Sequence, residues 1–125
     1  MTGDASSTPR PGWEVVIRHQ RLADGYSDLR VRINERGDLV LDGADGGQWV
    51  KEWWGDFDYE YLVTVPAAWT GKVLEHLARE FGVSVPPKWK EKTLLHLVKA
   101  RFNDTSSFRA WCAERDIPAK FNSWV

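Results

Sequence analysis

Between Phe57 and Val65 the chain alternates, with Phe57, Tyr59, Tyr61, Val63 and Val65 on one side and Asp58, Glu60, Leu62 and Thr64 on the other. A period of two with aromatic and β-branched residues on one side predicts a strand with one buried face, bounded by Gly55 and Pro66. This is expected to be the central strand. Three earlier stretches share the period: Trp13 to Leu22, Leu29 to Ile33, and Leu39 to Asp42 after a turn at 34–37. They read as an antiparallel meander. Gly43 to Gly47 is expected to break the sheet. Gln48 to Trp54, apolar at 49, 50, 53 and 54, is expected to form a short helix that lays Trp49 and Trp53 on the sheet.

After Pro66 the period changes. Trp69, Val73, Leu74, Leu77, Ala78 and Phe81 fall on one helical face, and Gly82 terminates it. Lys88 to Phe102 predicts a second helix burying Leu94, Leu95, Val98 and Phe102. Ser106 to Arg115 predicts a third, capped within 103–105, with Phe108, Trp111 and Cys112 inward. Ile117 to Val125 reads as a last strand, returning beside the central one. Strands first and long helices later predict an α+β fold: a mostly antiparallel sheet of about five strands with helices packed on one face.

Composition narrows the function classes. The chain has 125 residues, 42% hydrophobic and 28% charged, with a formal net charge of -1. That is one domain's worth, expected over 13–125 after a polar, Pro-bearing tail at 1–12 that cannot support a packed element. The near-zero charge gives no global pull toward nucleic acid or anionic membrane. The single cysteine, Cys112, cannot form an internal disulfide, and no signal-peptide or membrane-spanning pattern is present, so cytoplasm is the expected compartment.

Candidate chemistry is sparse. His19, His76 and His96 are scattered, and His76 with Glu80 reads as a helix-surface pair. Cys112 beside Trp111 reads as a buried thiol, and Ser106 and Ser107 as first-turn residues. Asp58 and Glu60 share a strand face, and an antiparallel strand ordinarily shows such residues to water. Gly43 to Gly47 carries no phosphate-loop ending, and no cofactor motif is found. Charge is nevertheless polarised along the chain. Asp38, Asp42, Asp45, Glu52, Asp56, Asp58 and Glu60 stand against Lys51 alone, while Lys88, Lys90, Lys92, Lys99 and Arg101 are opposed only by Glu91.

The stretches Leu39-Val40-Leu41-Asp42-Gly43, Trp53-Trp54-Gly55-Asp56, Asp58-Tyr59-Glu60-Tyr61 with Thr64-Val65-Pro66, and Asp116-Ile117-Pro118-Ala119-Lys120-Phe121 resemble a family of small, largely uncharacterised actinobacterial α+β proteins. The similarity covers Val15 to Trp124, and its motifs are structural. No activity comes with it. In size and style such a chain is similar to immunity proteins, which neutralise toxins.

Two surfaces are therefore expected to compete. The leading one is an acidic, Trp-rich surface of Asp42, Asp45, Glu52, Trp53, Trp54, Asp56, Asp58 and Glu60, binding a cationic protein partner such as a toxin domain. The alternative is a nucleic-acid-binding helix using Lys88, Trp89, Lys92 and Lys99. A small-molecule pocket between sheet and helices is the third reading.

Overall fold

The computed structural model describes residues 9–47 and 58–124, with the side chains of 13–47 and 59–123. Five strands, β1 (Pro9–Leu22), β2 (Gly25–Asn34), β3 (Leu39–Gly47), β4 (Asp58–Val65) and β5 (Lys120–Trp124), form one sheet in the order β1-β2-β3-β4-β5, every pair antiparallel. Three helices, α1 (Ala67–Phe81), α2 (Lys90–Arg101) and α3 (Thr105–Glu114), separate β4 from β5. The fold is α+β.

The core lies between the helices and one face of the sheet. Leu29, Val31 and Ile33 of β2, Leu39 and Leu41 of β3, and Tyr61, Val63 and Val65 of β4 join Val73, Leu77, Leu94, Leu95, Val98, Phe102, Phe108 and Trp111 from the helices. Alternation in β4 is thus read correctly, with Tyr61 at 6% exposure. Phe102 anchors an aromatic cluster under the helices, with the Phe108 and Trp111 ring centroids 5.1 and 5.6 Å away.

Several expectations need correction. β4 is flanked by β3 and β5, which makes β3 the middle strand. Gly43 to Gly47 does not break the sheet, because β3 continues through it in register with both neighbours, Gly43 opposite Leu29 and Tyr61. The reason is close approach: a Cβ on Gly43 would lie 2.1 Å from the Tyr61 ring, so glycine leaves room for that ring above the strand. β1 begins at Pro9, paired with Asn34, inside the stretch expected as a tail. The expected helix at 48–54 lies outside the described residues. Trp69 and Phe81, expected inward on α1, are 37% and 41% exposed.

Candidate functional site

The corner where α1 passes to α2 presents the most exposed large apolar side chain among the described residues. Gly82 adopts the left-handed conformation that ends α1, and its own and the next N–H donate to the Arg79 and Ala78 carbonyls. Val83 to Pro87 follows without regular structure. Trp89, just before α2, has φ +63°, a left-handed backbone unusual for a non-glycine residue. Its carbonyl accepts from the Thr93 N–H at 2.9 Å and from Thr93 Oγ1 at 3.0 Å, which anchors the helix start. The indole is 64% exposed, with Lys92 Nζ 5.1 Å from the ring centroid. Lys88, Lys90 and Lys99 are exposed, and Lys99 follows Lys92 by seven residues along the same side of α2. Arg101 is engaged, donating to Glu80 Oε1 at 2.9 Å. Phe81, Val83 and Val85, 41%, 47% and 37% exposed, belong to the same corner in sequence. The nucleic-acid candidates Lys88, Trp89, Lys92 and Lys99 are thus brought to one stretch of surface.

The acidic candidates are divided. Asp42 and Glu60 lie on the sheet face away from the helices, where Asp28, Arg30, Asp42, Ala44 and Glu60 line a shallow depression of about 200 Å³. Asp42 is paired with the buried Arg32 at 2.5 Å, and Asp28 with His19 at 2.8 Å and Arg21 at 3.5 Å. Asp45 lies on the opposite face, accepting from Ser27 Oγ at 2.6 Å beside Tyr61. Asp58 belongs to β4, with its side chain outside the described set, as are Glu52, Trp53, Trp54 and Asp56 altogether. Asp28 falls outside the strand that the sequence predicts from Leu29, and the charge alternation Asp28, Arg30, Arg32 is the signal that points to it.

Between sheet and helices, two hollows share Asp45 and Asp104. The larger, about 570 Å³, is also lined by Arg18, Ser27 and Asn103, and the smaller, about 290 Å³, by Tyr59, Tyr61 and Arg109. Arg18 crosses this region, donating to Ser27 Oγ at 3.0 Å, to the Asn103 carbonyl and to the Tyr61 hydroxyl at 3.4 Å. Burial pushes the Tyr61 phenol up to about 12, reinforced by Asp45 and opposed by Arg18. Asp104 caps α3 by accepting from the Ser107 N–H at 2.7 Å, the main cause of its lowered pKa. These groups hold one another, so the network reads as a strut from β1 to the α2–α3 connection.

Nucleophile chemistry has no foothold at Cys112: it is buried, and burial pushes the thiol up to about 12 against the opposing charge of Arg115. The expected pairing of His76 with Glu80 is replaced. His76 meets Trp111 edge-on at 6.0 Å, while Glu80 accepts from Trp111, Arg101 and Arg115. No group of three metal-ligating side chains occurs among the described residues.

No family model, curated protein or solved structure matches the chain.

Proposed function

We propose that the protein is a non-catalytic binding domain whose working surface is the corner around Trp89, and that its partner is anionic. The observation that carries this is an indole 64% exposed, set among Lys88, Lys90 and Lys92 on a left-handed backbone. Both features are costly to a protein that does not use them. A non-glycine residue in this conformation costs about 1–2 kcal/mol, and an exposed tryptophan forgoes burial worth more than that. The cations beside the ring raise the association rate with an anionic partner and align it, while the ring supplies anchoring area.

The test is calorimetric titration with a sulfated polysaccharide as a generic polyanion. Wild type should bind with an affinity that falls as salt is raised, and Lys88→Glu with Lys92→Glu should abolish binding. Undiminished binding by that double variant would refute the assignment.

A second reading keeps the immunity-type inhibitor, with a cationic toxin domain as partner. The depression lined by Asp28, Asp42 and Glu60 on the sheet face away from the helices supports it. Asp28 and Asp42 are already paired with cations of this chain, which leaves a weaker field for a partner. The sign of charge separates the readings: Glu60→Lys should weaken binding of an oligo-arginine peptide and leave the polyanion unaffected.

A further inference from the structure

Resting on that reading of the Trp89 corner, we infer that the anionic partner is a lipid surface: the corner docks at the headgroup boundary of an anionic bilayer. The lysines and the tryptophan alone would suit several polyanions. The exposed apolar residues that precede Trp89 in sequence decide between them. Phe81, Val83 and Val85 are 41%, 47% and 37% exposed in the same stretch that leads to Trp89. A nucleic-acid strand offers ring faces and phosphates, and it has little to gain from two valines. A bilayer boundary takes all four apolar side chains, since aliphatic groups enter the acyl region and indole prefers the interface.

Ring geometry points the same way. Lys92 Nζ lies 5.1 Å above the Trp89 ring, so one of its two faces is already covered by a cation. A stacking base must displace that ammonium or use the other face. Insertion into headgroups needs neither, and it carries Lys92 with the ring to the phosphate level. Lys88, Lys90 and Lys92 around Trp89 provide the charge complement, with Glu91 the one carboxylate among them. No helix among the described residues is long and apolar enough to cross a membrane, and the contact inferred here is with its surface. Arg79, Glu80 and Arg101 flank the corner, but Glu80 and Arg101 pair with each other at 2.9 Å and add little net charge.

Co-sedimentation with phosphatidylcholine vesicles, with and without phosphatidylserine, tests the inference beside oligo-deoxythymidine and the sulfated polysaccharide. Wild type should pellet only with the anionic vesicles. Lys88→Glu with Lys92→Glu should reduce partitioning at least about tenfold, at about 1 kcal/mol per cation near the surface. Trp89→Asn removes the ring while keeping a residue that tolerates φ +63°, so the fold is retained and a similar loss is expected. Val83→Ser with Val85→Ser should weaken vesicle binding and leave polysaccharide binding unchanged. If wild type ignores anionic vesicles but binds polysaccharide or oligonucleotide through Trp89 and the lysines, the lipid inference fails and the anionic-partner reading stands. Vesicle binding untouched by the Trp89 and lysine variants overturns both.

Discussion

Tyr61 and Gly43 are a matched pair across β3 and β4. The ring lies where a side chain on residue 43 would be, 2.1 Å from the position of its Cβ, and the phenol reaches Arg18. Glycine at 43 reads as a breaker because sequence shows the missing side chain and hides what fills its place. The aromatic alternation of β4, in contrast, was legible, because period two needs only local order. Tyr61→Ala should cost about 3–5 kcal/mol, as large core truncations do. Gly43→Ala should cost about 1–3 kcal/mol through crowding of the ring. In the double variant the second cost should shrink, since no ring remains to crowd. Urea denaturation of the four proteins checks this, and strict additivity would show that ring and glycine do not interact. At Cys112, thiol reagents should label the protein only under denaturing conditions, because the buried thiol holds its proton.

Among the elements, Glu80 ties the three helices together. It stands on α1, accepts from Arg101 of α2 at 2.9 Å and from the Trp111 indole of α3 at 2.5 Å, and meets Arg115 just beyond α3 at 3.2 Å. Partial burial pushes its carboxyl up, but the hydrogen bonds from Trp111 and Arg101 and the charges of Arg101 and Arg115 outweigh it, leaving the pKa below 4.5. A carboxylate depressed in the folded state adds stability that is present above its unfolded pKa and is lost as pH falls through the folded one. The melting temperature should therefore drop on acidification below about pH 4.5, and Glu80→Gln should drop less over that range. Equal slopes in wild type and variant would contradict the account. Helix identity was legible from the stripe Val73, Leu74, Leu77 and Ala78, all buried. The exposure of Trp69 and Phe81 was not, because periodicity gives an angle about the helix axis and says nothing of where the covering sheet stops. Glu80 was legible only as a spacing to His76, since its partners come from residues 101, 111 and 115.

Across the whole molecule, a net charge of -1 conceals two surfaces of different character. The acidic excess along the chain was real as sequence, yet folding sends Asp42 and Asp45 to opposite faces and pairs Asp42 with Arg32, Asp28 with His19 and Arg21, and Glu14 with Arg30. Alternation in strands did this: neighbouring odd and even positions part company, and cross-strand register chooses their partners. The lysines of 88–92 lie at a helix start and its connector, where no cross-strand neighbour faces them. Their spacing was legible, and so was Trp89 beside them; its exposure and left-handed backbone were not. The most direct measurement of the central claim is an amide-resolved NMR titration with nanodiscs containing phosphatidylserine. Shift changes and line broadening confined to residues 81–92, with positions 28–30, 42–44 and 60 unmoved, are predicted. Perturbation centred on the sheet face around Asp28, Asp42 and Glu60, with Trp89 and its lysines silent, would contradict it.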